Sequence, residues 1–127
     1  MPQFLWICLG GAVGTGARYL LSGWALATFG SSFPYGTLAV NVLGSFLLAV
    51  LMLVGTETTL MPATLRLALT TGVMGGFTTY STFSYETLKY LEEGAWWMAT
   101  VNVLATVVGC LAACMLGFLC ARWLVGA

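Results

Sequence analysis

The sequence has no histidine, no aspartate and a single lysine, and only eight of its 127 residues are charged. Without histidine there is no imidazole metal site, no histidine proton relay and no histidine-based triad. Four cations, Arg18, Arg66, Lys89 and Arg122, are too few to follow a phosphate backbone, which excludes nucleic acid as a partner. Four glutamates balance them to a net charge of zero. A soluble domain is about 25% charged, and the 6% found here does not suffice to cover a solvated surface. A disordered chain is excluded for the opposite reason, since 60% of the residues are hydrophobic and the mean hydropathy is +0.97. What remains is an all-α integral membrane protein in contact with membrane lipid. One crossing takes about 20 apolar residues, so the chain accommodates four crossings in a single domain spanning residues 1–127, with no linker, internal repeat or low-complexity tail.

Breakers place the four helices. Helix 1 is expected over 3–28, carrying the small-xxx-small pair Gly10 and Gly14. Its start has no charge ahead of Phe4 and reads as a crossing rather than a cleavable signal. Residues 29–35 form a turn, and helix 2 follows from Tyr35 to Val54 with Asn41 as its strongly polar side chain. Residues 55–63 form the next loop. Helix 3 runs from Thr64 to Gly72, breaks near Gly75–Thr79 and resumes to Glu93. Helix 4 covers Ala95 to Leu119. Four helices this short enclose no private cavity, so a pathway would form between two copies.

The broken segment holds the chemistry. Gly75 and Gly76 each weaken a helix by about 1 kcal/mol. Five hydroxyls follow, on Thr78, Thr79, Ser81, Thr82 and Ser84. At membrane depth an open backbone is tolerated where protein buries it or where it lines a cavity. Free carbonyls there suit cations and free N–H groups suit anions. The same residues are also consistent with a glycine kink whose hydroxyls bond back to their own helix. Phe77, Tyr80 and Phe83 are spaced by three on one helical stripe, which is either packing or a row of ring edges facing a small anion. Asn41 is an interhelical hydrogen bonder or an anion donor. Asn102 and Thr106 form a similar pair on helix 4. Arg18, well inside an apolar run, faces a wet vestibule or snorkels to the interface.

Lysine and arginine lie two against two across the membrane, Arg66 and Arg122 against Arg18 and Lys89, so the positive-inside rule sets no orientation. The tie is either accidental or the mark of a chain inserted both ways. Cys8, Cys110, Cys114 and Cys120 sit in apolar helix without histidine and read as packing.

Three motifs together resemble the Fluc (CrcB) family of bacterial fluoride channels. They are Gly10-Gly11-Ala12-Val13-Gly14-Thr15-Gly16-Ala17-Arg18-Tyr19, Gly36-Thr37-Leu38-Ala39-Val40-Asn41-Val42-Leu43-Gly44-Ser45, and Gly75-Gly76-Phe77-Thr78-Thr79-Tyr80-Ser81-Thr82-Phe83-Ser84. The resemblance implies an antiparallel, dual-topology homodimer in the bacterial inner membrane, multi-pass, with two fluoride pores and fluoride as the conducted ion. It implies a structural sodium held by the backbone carbonyls of Gly75 and Thr78. It assigns Tyr80 and Phe83 to the pore aromatics and Asn41 to fluoride donation. Ser81, Thr82 and Thr37 join a polar track, and Arg18 matches the helix 1 arginine of the vestibule. The family usually has Phe at the position of Tyr80; the extra hydroxyl donates to fluoride, narrows the pore or points aside. Family members also tend to carry hydroxyls where this chain has Cys110 and Cys114.

Three functions compete. The first is a passive fluoride exporter that catalyses no reaction. The second is a small four-helix proton-coupled multidrug exporter, which needs a membrane-embedded carboxylate. Glu86 lies near the exit of helix 3, and the other glutamates lie in loops or at helix ends. The third is an assembly subunit without a pore.

Overall fold

The computed structural model describes residues 2–126; Met1 and Ala127, the ends of the expected 1–127 unit, lie outside them. The described residues form helices and no strands. Helix α1 is Pro2–Phe29 and α2 is Tyr35–Glu57. The third path is composite: α3 Ala63–Leu67, a π-helical stretch Ala68–Met74, α4 Gly75–Phe77 and, after two extended residues, α5 Tyr80–Glu92. Helix α6 is Trp96–Val125. Among the described residues, α1, α2 and α6 are long and apolar enough to cross a membrane. Their ends run past the expected limits, with α2 reaching Glu57 and α6 reaching Val125: Gly55 stays helical, buried against the Arg66 side chain, and 119–125 holds no Gly or Pro. The turns fall where the breakers were. Gly30 and Gly94 adopt φ of +82° and +73°, which only glycine takes without strain.

Glycine sets how closely the composite path lies against α1. A Cβ on Gly10 would sit 2.5 Å from the Ala68 carbonyl oxygen, and one on Gly72 would sit 2.7 Å from that of Ile7. A Cβ on Gly14 would strike the Val73 carbonyl, and one on Gly76 would come within 2.5 Å of the Gly11 carbonyl oxygen. Both backbones touch directly along this seam. The residues facing α1 are Ala68, Gly72–Val73 and Gly76–Phe77. They recur every four or five positions, wider than the 3.6 of an α-helix. The i→i+5 winding of the π stretch keeps that wider spacing on one side. Gly75 and Gly76, the start of the expected break at Gly75–Thr79, therefore do not end the helix. They remain helical, and the break comes at Thr78–Thr79.

Helix α2 packs chiefly on α6, where Gly117 lies against the Phe46 backbone. The large apolar residues left exposed, among them Leu9, Val13, Leu20, Leu104, Val108 and Leu111, run along the outer faces of α1 and α6. The cysteines follow the same pattern: Cys8, Cys114 and Cys120 are exposed on the chain's surface and not packed inside it, while Cys110 is half-buried.

The seam separates two glycines of one helix. Gly14→Ala overpacks the contact with Val73, and a destabilisation of about 1–3 kcal/mol follows. Gly16, with nothing within 4 Å of its Cβ position, tolerates the same change. Thermal unfolding of the two variants in detergent micelles checks this; equal melting temperatures would remove the seam as a determinant.

Candidate functional site

The break is built by threonines. Thr78 is extended (φ −91°, ψ 159°), as is Thr79 (φ −151°, ψ 117°). The Thr78 amide and hydroxyl both donate to the Met74 carbonyl, at 3.1 and 2.9 Å, which seals the end of α4. The Thr79 hydroxyl oxygen accepts the Thr82 amide at 3.3 Å and donates to the Thr82 hydroxyl at 3.1 Å, which caps α5. The hydroxyl-rich run thus carries the ends of two helices.

Asn41 closes the gap between them. Its Nδ2 donates to the Thr79 carbonyl at 3.0 Å and its Oδ1 accepts the Thr79 amide at 2.8 Å. The side chain supplies both bonds that a neighbouring strand would give, and it does so from a buried position on α2. The backbone partners fix the amide's orientation, since an N–H only donates. Gly44, one turn further along α2, leaves room for the Thr78 methyl and the Phe77 ring; a Cβ there would strike the methyl. On the other side Arg18 reaches in from α1, its Nε donating to the Gly76 carbonyl at 3.0 Å. Among the described residues, the carbonyls of Gly75 and Thr78 accept no hydrogen bond, and neither the Tyr80 nor the Ser81 amide donates one.

Asn41, Gly75, Thr78, Tyr80 and Phe83 line one groove of about 790 Å³, together with Thr106 and Cys110 of α6. The aromatics are not equivalent. Phe83 is 6% exposed and Tyr80 is 78% exposed, with ring centroids 5.6 Å apart and planes tilted by 39°. The expected stripe through Phe77 is interrupted, because Thr78 and Thr79 are extended and set Phe77 on α4, buried against α2. Ser81 is exposed and Thr82 half-buried, both beside the Thr79 hydroxyl at the start of α5.

Thr37 lies elsewhere. It lines a second cavity of about 530 Å³ with Ser22, Glu86, Lys89 and Tyr90. Its hydroxyl donates to Glu86 Oε2 at 3.0 Å, while the buried Oε1 has no partner among the described residues. Sequence reasoning left three participants out: Thr79 as the partner of Asn41, Glu86 as the partner of Thr37, and Gly76 as the acceptor for Arg18. Thr79 had a signal, being a threonine three residues ahead of Thr82 at a helix start. The other two had none, because their partners lie 49 and 58 positions away.

Comparison with known proteins brings in the rest of the chain. The profile of the family described as CrcB-like protein, Camphor Resistance (CrcB), matches residues 5–118. A protein of Anaeromyxobacter dehalogenans named fluoride-specific ion channel FluC is 56% identical over 99% of this chain and 100% of its own length. Proteins of the same name from Sorangium cellulosum and Geobacter sulfurreducens are each 53% identical, over 98% of this chain and over 98% and 100% of their own lengths.

Removal of the Asn41 amide strands two backbone groups at once. Asn41→Ala is expected to cost about 1–3 kcal/mol for each buried group left unpaired. The melting temperature in detergent should fall clearly below that of Asn102→Ala, which leaves only a side-chain hydroxyl without its donor.

Proposed function

The chain belongs to the CrcB-like family, and from that premise we propose that it is a fluoride-specific ion channel that carries the anion passively out of a bacterial cytoplasm. One observation on this chain carries the reading beyond the family name: a helix broken at Thr78–Thr79, clamped by Asn41, opens onto a groove beside Tyr80 and Phe83. The third path, Ala63–Glu92, is taken as the fourth crossing, which makes the protein multi-pass in the bacterial inner membrane.

A small anion at this groove meets weak donors. One N–H of Asn41 is engaged by the Thr79 carbonyl, and the other is left for the ion. The Tyr80 and Ser81 amides lie at the positive end of α5. Ser81 and Thr82 add hydroxyls, and the edge of the Phe83 ring carries partial positive charge. No full positive charge belongs to this set, so binding is loose enough for release, as conduction requires. In this reading Thr37 and Glu86 lie at the mouth, and an ion taking a bond from the Thr37 hydroxyl competes with Glu86. Arg18 attracts the anion while it pins α4.

The groove is open along one side of a single chain, and the proposed complement is a second, antiparallel copy. The even two-against-two split of cations supports insertion both ways. Two copies give two pores. The carbonyls of Gly75 and Thr78 fit the proposed structural sodium: both residues line the groove, neither carbonyl is used internally, and all-oxygen donors suit a hard cation. A sodium there would neutralise the carbonyl dipoles where two copies meet. The second reading, a proton-coupled exporter, draws on Glu86 with its unpartnered oxygen; the full-length likeness to proteins named as fluoride channels favours the first.

Vesicles containing the purified protein should release fluoride rapidly and retain chloride. Phe83→Ile should slow fluoride release by about tenfold or more. Equal release of both halides overturns the selectivity, and release that requires a proton gradient and a lipophilic cation favours the exporter.

A further inference from the structure

Helix α5 is held in an unusual way. Of its 13 residues only Phe83 is buried, so apolar packing within the chain does little to fix its rotation. Polar ties do that work. At its start, Asn41 of α2 clamps Thr79. In its middle, Thr37 of α2 bonds Glu86. One residue later, Asn102 of α6 donates its Nδ2 to the Thr87 hydroxyl oxygen at 3.0 Å. Glu86 and Thr87 point about 100° apart around the helix, so the ties to α2 and α6 act from two directions. Together they leave α5 no free rotation.

Asn102 is 1% exposed, among the most deeply buried side chains of the protein. A buried amide in an apolar helix is costly unless it is bonded. Its bond leads to the aromatic pair. The Thr87 hydroxyl has one hydrogen, which it donates to the Phe83 carbonyl at 2.8 Å, and so it accepts from Asn102. The series Asn102, Thr87, Phe83 therefore runs from the core of α6 to the backbone of the one buried residue of α5. Thr87 and Phe83 both line the groove. The expected pairing of Asn102 with Thr106 within α6 gives way to this tie between helices.

We propose that Asn102 is a positioning residue for ion conduction: acting through the Thr87 hydroxyl, it sets the rotation of α5 and thereby the angle at which the Phe83 ring meets the groove. The inference rests on the channel reading above. It assigns Asn102 no contact with the ion.

The test uses full-length protein in vesicles, with fluoride release measured per folded channel and melting temperature measured separately. Asn102→Leu and Thr87→Val remove the tie from either side at nearly constant volume. Each should lower fluoride release by about tenfold, and the double variant should be no slower than either single one, because both act through one bond. Thr87→Ser, which keeps the hydroxyl, should retain the wild-type rate. If the single variants release fluoride within twofold of wild type while melting lower, the tie is structural only and the inference is overturned. Fully additive effects of the two changes also overturn it. Should Asn102→Leu fail to fold, the Thr87→Val and Thr87→Ser pair decides alone. Wild-type vesicles that pass no fluoride would overturn the channel reading and the positioning role with it, an outcome distinct from wild-type conduction with unaltered variants.

Discussion

Two residues of extended backbone interrupt a helix that otherwise runs beside α1, and most of the surrounding side chains answer the cost of that interruption. In hydrocarbon an unpaired peptide group costs several kcal/mol because no water replaces the lost bond. Asn41 meets the largest part of that cost, since one side chain satisfies both the amide and the carbonyl of Thr79. Thr78 bonds back onto Met74, Thr79 caps α5 and Arg18 takes the Gly76 carbonyl. What is left over is not random. The unused acceptors are on Gly75 and Thr78, before or at the break, and the unused donors are on Tyr80 and Ser81, just after it. The same break thus offers oxygen to a cation and N–H to an anion at neighbouring points.

Such a break is stable only if it is held in place, and the glycine seam supplies the frame. Gly10, Gly14, Gly72 and Gly76 allow α1 and the composite helix to touch backbone to backbone. The π-helical winding keeps the touching residues in line up to Phe77, the end of α4. Beyond the seam the control changes in kind. Helix α5 buries one residue within the chain and is oriented by hydrogen bonds to α2 and α6. A rigid half fixed by close packing is joined to a half fixed by polar ties, and the candidate ion site lies at the joint.

Much of this was legible in the sequence for physical reasons. Eight charges in 127 residues specify a membrane protein, and clustered Gly, Ser and Pro mark the turns. The small-xxx-small pair in α1 announced a close helix contact, and the run from Gly75 to Ser84 announced a break. The break falls at the end of the expected stretch Gly75–Thr79. Glycine weakens a helix but also permits close packing, and here the second property governs at Gly75 and Gly76, so the threonines carry the break. The aromatic spacing misled for a related reason: a three-residue repeat is a stripe only while the helix continues, and it does not continue through Thr78. Tertiary partners were the least legible. Nothing near Asn102 in the sequence points to Thr87, and nothing near Arg18 points to Gly76, because those pairings exist only once α6 and α1 are packed.

The distribution of donors bears on what can pass. A site for a large or multivalent anion would call for a full positive charge or a convergent ring of N–H groups, and neither is present at the groove. Arg18, the nearest cation with a placed role, has its Nε directed at the Gly76 carbonyl. What the groove offers is one amide hydrogen of Asn41, two backbone amides, hydroxyls and a ring edge, each a modest attraction. Their sum suits a small ion of concentrated charge, which gains more from a few short contacts than a larger halide does. The exposed hydroxyl of Tyr80 fits this balance as well. Tyr80 stands exposed beside the buried Phe83 ring, where it adds a polar group at the edge of the path without a charge that would hold the ion there. Weak donors demand accurate placement, and the polar ties on α5, from Asn41 to Asn102, supply it.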